Sequence, residues 1–234
     1  MRTVVVIPAF NEEASLPAVI ADIPKGLADA VIVVDNASVD GTARIARERG
    51  ARVVREDRRG YGSACLAGLA EAATLEPEVI VFLDADHSDH PEEMPRLLEP
   101  IHERGFDLVI GSRVLGRREP WALLPQARAG NLLAVTLIRW LYGFRYTDLG
   151  PFRAVRWSTL ERIGMQDTGF GWTVEMQVRA LQEGVKVTEV PVSYRRRVGT
   201  SKISGTVRGT LAAGRGILGT IARLHGRGPR RPRV

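Results

Sequence analysis

The chain has 234 residues, of which 26% are charged and 44% are hydrophobic, and it contains 24 Gly, 13 Pro and one Cys. This composition is typical of one soluble α/β domain with a sizeable core, and it excludes collagen-like, coiled-coil and disordered proteins. The single cysteine, Cys65, cannot form an internal disulfide, and the N-terminal apolar run meets Pro8 without a signal-peptide cleavage site. We therefore expect a protein without a secretory leader that either occupies a reducing compartment or is indifferent to redox conditions.

The formal net charge of +6 is distributed unevenly along the chain. Residues 190–234 contain 11 of the 33 Lys and Arg residues and no Asp or Glu. The first 189 residues therefore hold 22 basic and 27 acidic side chains, which is a net charge of −5. The sequence predicts a mildly acidic body followed by a strongly basic C-terminal segment.

The first 110 residues alternate short apolar runs with helical patterns. The runs are apolar at consecutive positions, which is typical of parallel strands buried on both faces. Strands are predicted at 4–7, 31–34, 52–54, 79–83 and 108–110, and helices near 12–22, 41–49, 61–74 and 91–104. Strand–helix alternation of this kind predicts an α/β fold with a doubly wound, mostly parallel sheet.

The pattern is less regular beyond residue 113. Residues 130–143 predict an apolar helix that is too short to span a membrane, residues 172–183 a helix, and residues 185–192 a strand. Residues 205–225 have the spacing of an amphipathic helix. Its apolar face comprises Val207, Leu211, Leu218 and Ile221, and another face carries Arg208, Arg215 and Arg223.

We divide the chain into a catalytic domain over 1–204, this amphipathic helix over 205–225 and a basic, disordered tail over 226–234. An apolar face flanked by Arg, in a segment without acids, suits a helix lying on an anionic membrane surface. The alternative is a helix packed on the body with solvated Arg side chains.

Polar sequence follows four of the predicted strands: PAFNE at 8–12, DNASVDG at 35–41, DADHS at 84–88 and GSR at 111–113. The carboxyl ends of parallel strands meet at one edge of a sheet, and ligands bind at that edge. The sequence therefore predicts a functional site there.

Asp84 and Asp86 directly follow an apolar strand, and alternate residues of a strand point to the same side. Two carboxylates aimed together repel unless a cation or a proton lies between them. Oxygen ligands without thiolates favour Mg²⁺ or Mn²⁺, which also bind phosphate oxygens, and Ser88 or His87 would add a further contact. The alternative is that one Asp caps the following helix while the other is solvated.

The motifs resemble those of a known family. VVVIPAFNEE, VIVVDNASVDGT, RRGYGSACLAG and VFLDADHSDHPEE occur in the order and spacing of family 2 glycosyltransferases with the GT-A fold. Downstream, VIGSR, TDLGPFRAV, GFGWTVEMQVRA and EVPVSYRRRVGTSKISGT resemble the dolichol-phosphate mannosyltransferase branch, which transfers sugars to polyprenyl phosphates. The resemblance extends from about residue 4 to residue 206 and implies an inverting hexosyltransferase with the GT-A fold.

The resemblance also implies roles for particular residues. The nucleotide-diphosphate sugar would be bound by Pro8, Phe10, Glu12, Asp35, Asn36, Asp57, Gly60, Asp84 and Asp86. The metal, Mg²⁺ or Mn²⁺, would be bound by Asp84, Asp86 and Ser88, and the catalytic residues would be Asp86, Arg113 and Asp148. The family usually has a second Asp at position 36 and a DLGPFR segment that is one residue longer.

A phosphate acceptor needs positioning and charge compensation rather than a general base, because it is already anionic at neutral pH. The acceptor phosphate would be bound by Arg113, Arg128, Arg196, Arg197 and Lys202. Its oxygen would attack the anomeric carbon in line with the departing nucleoside diphosphate. We expect a peripheral protein at the cytoplasmic, inner face of a membrane, with the nucleotide-diphosphate sugar, the polyprenyl phosphate and anionic lipid as partners.

Other functions stay open on the sequence. A sugar nucleotidyltransferase would share the sheet and the carboxylates, and a second transferase would use a soluble or protein acceptor with Asp148 as its base. Nucleic-acid binding by the Arg-rich tail is disfavoured because no aromatic residue is interleaved with it after Tyr194. The donor is not distinguished among GDP-mannose, UDP-glucose and UDP-GlcNAc.

Overall fold

The structure is a computed structural model that describes residues 1–199 and 207–226, with side chains from residue 214 onwards in the second range. Lys202, the side chains of Val207 and Leu211, and the predicted tail beyond residue 226 lie outside the described residues.

A seven-stranded sheet with helices on both faces forms the body of the protein. The strands are β1 Thr3–Ala9, β2 Ala30–Asp35, β3 Arg52–Arg55, β4 Val79–Phe82, β5 Leu108–Ser112, β6 Arg153–Arg156 and β7 Val187–Pro191. The helices are α1 Leu16–Asp22, α2 Thr42–Glu48, α3 Tyr61–Ala73, α4 Met94–Arg104, α5 Pro125–Tyr142, α6 Trp157–Ile163, α7 Trp172–Gln182 and α8 Val207–His225, with a 3-10 turn at Pro91–Glu93.

The strand order is β3-β2-β1-β4-β6-β5-β7, and only β6 runs antiparallel to its neighbours. The predicted α/β class with a mostly parallel sheet is therefore confirmed. Strand β6 and helix α6 have no counterpart in the sequence prediction. RAVR of β6 has one β-branched residue, whereas RVVR of the predicted strand β3 has two.

Strands β1, β2 and β4 are almost continuously apolar because they separate two cores. Val4 and Val6 of β1 pack into one core, whereas Val5 and Ile7 pack into the other. The first core also receives side chains from α3, α5 and α7, and the second from α1 and α4. Burial on both faces explains the continuous Val and Ile runs.

Arg153 of β6 is a fully buried cation whose guanidinium donates to backbone carbonyls. It reaches the carbonyl oxygens of Leu149, Gly150 and Thr173. These bonds satisfy the buried donors and anchor the turn that precedes β6. The turn carries Asp148, so Arg153 supports a residue that the sequence assigns to the site.

Helix α8 packs on the body over the part whose side chains are described. Ile221 and Leu224 are buried, and the side-chain amide of Gln182 in α7 donates to the carbonyl of Leu224 at 3.0 Å. Leu218 is 38% exposed, so its face of the helix is open. None of the described helices is long and apolar enough to cross a bilayer. The assignment of 205–225 to a membrane surface stays a prediction.

Gly68 permits close packing of α3 on the sheet. A Cβ there would lie 2.5 Å from Cγ1 of Val6 and 3.0 Å from Cγ2 of Val34, whereas a Cβ at Gly130 of α5 would meet nothing within 4 Å. We expect Gly68→Ala to lower the free energy of unfolding by about 1–3 kcal/mol through overpacking. Gly130→Ala, the matched control, is expected to be neutral or to add up to about 1 kcal/mol. Urea unfolding measures both, and equal effects would contradict this packing.

Candidate functional site

A cavity of about 460 Å³ opens at the carboxyl ends of β1, β2 and β4. Its lining comprises Pro8, Ala9, Phe10, Glu12, Asn36, Arg59, Gly60, Tyr61, Ala64, Asp84, Ala85, Asp86, Gly169, Phe170 and Arg197. Seven of the nine residues that the sequence assigns to the donor sugar nucleotide are among them. Asp35 and Asp57 are not; both pair with Arg55, at 2.6 and 2.7 Å.

Asp84 lies just beyond β4 on the floor of the cavity. Its Oδ1 accepts a hydrogen bond of 3.2 Å from the hydroxyl of Tyr61, the first residue of α3. Burial, followed by the neighbouring charge of Asp86, raises the pKa of Asp84 to about 7. An uncompensated charge on Asp84 is therefore disfavoured, and a proton or a cation would offset it.

The two carboxylate oxygens of Asp86 contact different residues. Oδ1 accepts from the backbone N–H of Ser88 at 2.9 Å and from the Ser88 hydroxyl. Oδ2 lies 3.3 Å from Nη1 of Arg197. Ser88 is buried, and its Oγ also lies 3.1 Å from the hydroxyl of Tyr194, so it orients Asp86. A role of Ser88 as a metal ligand stays a prediction.

The donor set fits a hard divalent cation bound together with a phosphate ligand. Asp84 and Asp86 face one cavity, and both carboxylate oxygens of the buried Asp89 nearby have no hydrogen-bond partner among the described residues. The part of the chain that is described contains no cluster of three or more His, Cys, Asp or Glu suited to a metal. Mg²⁺ commonly binds through one or two carboxylates and completes its shell with water and substrate phosphates.

Asn36 orders the turn that forms one wall of the cavity. Its side-chain amide donates to the carbonyls of Glu56 at 2.9 Å and Arg58 at 2.8 Å, and its Oδ1 accepts from the N–H of Gly60 at 2.9 Å. A carboxylate at this position would lack the two donors. The departure from the usual family residue at position 36 therefore has a structural consequence in this chain.

Position 60 requires glycine for two reasons, its backbone conformation and its close contact with Thr168. Its φ is +152°, and a Cβ would lie 2.2 Å from the carbonyl oxygen of Thr168. The loop that contains Thr168 continues through Gly169 and Phe170 into the cavity wall. Close backbone contact thus brings a distant segment into the site.

Arg59 and Phe10 form a flat wall. The guanidinium carbon of Arg59 lies 3.3 Å from the centre of the Phe10 ring, and its Nη1 donates to the carbonyls of Asn36 at 3.3 Å and Ala37 at 3.2 Å. The stacked pair is held in place from β1 and β2 and presents a planar surface to the cavity.

Arg113 and Asp148 form a buried, bidentate pair beside the Asp86 loop. Nε and Nη2 of Arg113 each lie 2.8 Å from an oxygen of Asp148, and the Arg113 N–H adds a third bond of 2.8 Å. Burial lowers the pKa of Arg113, but the Asp148 charge more than offsets it, so the pKa is raised above its usual value. The fully buried Asp148 positions a permanently charged guanidinium, and this geometry disfavours it as a general base.

The remaining acceptor candidates are dispersed. Arg196 donates from its backbone to Glu119 at 2.9 Å and from Nε to the carbonyl of Pro120 at 2.7 Å, outside the cavity lining. Arg128 is exposed in the first turn of α5, and Lys202 lies outside the described residues. Arg197 lies in the cavity beside Asp86.

Some cavity residues lie in motifs quoted above, but nothing in the sequence alone assigns them to the cavity. Gly169 and Phe170 open the motif GFGWTVEMQVRA, 87 and 88 residues after the end of β4, and reach the cavity through the loop against α3. The position of Tyr61, next to Gly60 in the glycine-rich turn, is a sequence feature that could have indicated its place in the cavity. Tyr194 and Asp89 are joined by an isolated β-bridge that only the fold reveals.

Comparison with known proteins gives concordant matches. The model of the family "Glycosyl transferase family 2" matches residues 4–164. An uncharacterized glycosyltransferase of Mycobacterium tuberculosis is 41% identical over 89% of this chain and 93% of its own length. The undecaprenyl-phosphate mannosyltransferase of Micrococcus luteus is 35% identical over 97% of both chains, and the polyprenol monophosphomannose synthase of Mycolicibacterium smegmatis is 34% identical over 96% and 91%.

Solved structures match the fold. Glucosyl-3-phosphoglycerate synthase of Mycobacterium tuberculosis, in complex with Mn²⁺, UDP and glucosyl-3-phosphoglycerate, superposes with a TM-score of 0.75 and 25% identity over 96% of this chain and 80% of that chain. The same enzyme with Mg²⁺ and UDP superposes with a TM-score of 0.75 and 25% identity, over 96% and 79%.

Asn36→Ala tests the anchoring of the Arg59–Gly60 turn. The variant loses three hydrogen bonds to partly buried backbone groups, so we expect the free energy of unfolding to fall by about 2–3 kcal/mol. Asp57→Ala is the control, because the Asp57 side chain is 82% exposed, and it should stay within about 0.5 kcal/mol of the wild type. Denaturant unfolding measures both, and an Asn36→Ala value as small as the control would show that the turn does not depend on Asn36.

Proposed function

The chain belongs to glycosyl transferase family 2, and from this premise we propose that it moves a hexose from a nucleotide-diphosphate sugar to a polyprenyl phosphate, with inversion and with Mg²⁺ or Mn²⁺. The strongest support is the placement of Asp84 and Asp86 in a cavity at the carboxyl edge of the sheet. The names of the Micrococcus and Mycolicibacterium relatives support a polyprenyl acceptor.

The size of the cavity and the arrangement of its lining residues suit a sugar nucleotide. The Arg59–Phe10 stack provides a planar surface for the base, and the carboxylates of Asp84 and Asp86 lie on the floor. A divalent cation bound there would stabilise the charge of the departing diphosphate as a Lewis acid. The Mn²⁺, Mg²⁺ and UDP complexes of the structural relative support this assignment.

The acceptor phosphate is assigned to the side of Arg113. The bonds to Asp148 use Nε and Nη2, and Nη1 is the donor that would bind the phosphate. Asp148 thereby fixes the direction of the guanidinium and keeps its position before the acceptor arrives. Because a phosphate monoester needs no deprotonation, the reaction requires orientation and charge compensation rather than a base.

A polyprenyl acceptor requires access to a membrane, and the exposed face of α5 is suited to it. Leu132, Leu133 and Trp140 are 66%, 55% and 81% exposed. Residues 120–147 contain three Arg and no Asp or Glu. An apolar helix face with basic flanks suits an anionic bilayer surface, and we place the protein peripherally at the cytoplasmic, inner face. We thus assign lipid contact to α5 as well as to the exposed face of α8.

Transfer to polyprenyl phosphate is the test of the reaction. The wild type, incubated with Mn²⁺ and each of GDP-mannose, UDP-glucose and UDP-GlcNAc in turn, should form one glycosyl polyprenyl phosphate and release the nucleoside diphosphate. Asp86→Asn should lower kcat by at least about 100-fold, as loss of an electrostatic stabiliser does. Glu103→Gln is the folded control with wild-type activity, because Glu103 of α4 is exposed and lies outside the cavity lining.

Three outcomes would contradict the proposal. Transfer to 3-phosphoglycerate or a protein instead of the lipid would indicate a soluble-acceptor transferase. Consumption of a sugar phosphate and a nucleoside triphosphate, with release of pyrophosphate, would indicate a nucleotidyltransferase. Unchanged activity of Asp86→Asn would remove the role of the carboxylate pair.

Vesicle binding tests the α5 surface. Leu133→Glu combined with Trp140→Glu should weaken binding to phosphatidylglycerol vesicles by at least about tenfold, because it places two acids against an anionic bilayer. Val39→Glu is the matched control, since Val39 is 89% exposed on a loop between β2 and α2. Co-sedimentation measures both variants, and retention of wild-type binding by the double variant would exclude α5 as the lipid-contacting face.

A further inference from the structure

Arg197 is placed between two carboxylates of the donor cavity. Its Nη1 lies 3.3 Å from Oδ2 of Asp86, and its Nη2 lies 3.3 Å from Oε1 of Glu12. The Asp86 oxygen that it contacts is the one that Ser88 does not bind. Arg197 therefore covers the oxygen that faces the cavity and would ligate a cation.

The backbone around Arg197 is fastened to the Asp86 loop. The N–H of Val198 donates to the carbonyl of Asp86, and the N–H of Arg195 donates to the carbonyl of Ser88, both at 2.9 Å. The bridge between Asp89 and Tyr194 extends this pairing. Because two bonds bracket Arg197 along the chain, its stem is fixed and its guanidinium is the part that can change partners.

The guanidinium is only loosely satisfied where it lies. Both of its contacts with carboxylates are longer than the 2.7–2.9 Å that is usual for charge-assisted bonds. Its Nε is buried and has no hydrogen-bond partner among the described residues. A cation held by two long contacts, with a donor unused, retains capacity to bind a further anion.

We propose that Arg197 is a built-in counter-ion that competes with the divalent cation for Asp86 and then transfers its guanidinium to the diphosphate of the sugar nucleotide. This inference rests on the proposed function, because it assumes that the cavity binds a metal and a nucleoside diphosphate. Its consequence is that the metal binds weakly by itself and tightly together with the nucleotide, since the diphosphate supplies the anion that Arg197 needs on leaving Asp86. Arg197 thus couples the two binding events.

Binding of Mn²⁺ alone, followed by electron paramagnetic resonance, tests the competition without catalysis. Arg197→Gln should bind Mn²⁺ about tenfold more tightly than the wild type, and with saturating Mn²⁺ it should bind GDP or UDP about tenfold more weakly. Arg197→Lys, which keeps the charge, should stay closer to the wild type in both measurements. Arg196→Gln is the matched control, because Arg196 contacts Glu119 and Pro120 outside the cavity.

The two opposite changes separate this role from a structural one, which would weaken both ligands. Mn²⁺ affinity in Arg197→Gln equal to or below that of the wild type would overturn the inference, as would equal tightening by Arg197→Lys. If Arg197→Gln unfolds, Arg197→Met retains the apolar stem and gives the same comparison.

Loss of Mn²⁺ binding in Asp86→Asn, without tightening in Arg197→Gln, would refute only the role of Arg197. If neither the wild type nor Arg197→Gln bound Mn²⁺ or a nucleoside diphosphate, the proposed function would fail as well.

Discussion

The negative charge gathered at the carboxyl end of β4 is the constraint on which the rest of the site depends. Asp84, Asp86 and Asp89 follow that strand within a few residues, and the last two are buried. Carboxylates so close together repel unless cations or donors lie among them. The chain supplies donors from other elements, namely the Tyr61 hydroxyl from α3 and the Arg197 guanidinium from the segment after β7. Tyr61 and Arg197 also line the cavity, so the same side chains compensate the carboxylate charge and form the cavity wall.

The same logic extends to the neighbouring Arg113. Its guanidinium is fixed by Asp148, whose backbone N–H donates to Glu189 of β7 at 3.1 Å. The turn after Asp148 is anchored in turn by the buried Arg153. Because each of these groups has a hydrogen-bond partner, the network holds the Arg113 guanidinium rigidly. A rigid guanidinium can bind an anion without rearrangement. The antiparallel strand β6 therefore contributes to the site although none of its residues lines the cavity.

The sequence was sufficient for the parallel half of the fold and for the strand-end motifs. Runs of β-branched residues define β1 to β5, and Asp84 and Asp86 come shortly after β4. The sequence was insufficient for β6, because RAVR has one β-branched residue where RVVR of β3 has two, and the buried Arg153 is explained only by carbonyls that the fold brings to it. It was also insufficient for the loop at Gly169, which reaches the cavity by backbone contact rather than by any pattern of side chains.

The basic C-terminal segment, which as a sequence suggests a separate anionic partner, contacts the acidic body where the structure describes it, at 190–199 and 207–226. Three of its arginines pair with carboxylates there: Arg195 with Asp22 at 3.0 Å, Arg197 with Glu12 at 3.3 Å and Arg223 with Asp167 at 3.0 Å. Asp167 also accepts a hydrogen bond of 2.8 Å from Thr220 of α8, and its loop leads to Gly169 and Phe170 in the cavity wall. Helix α8 is thus connected to the cavity through a single loop. The backbone of that loop packs directly against the first turn of α3, so the packing of α8 on Asp167 supports the wall of the donor cavity.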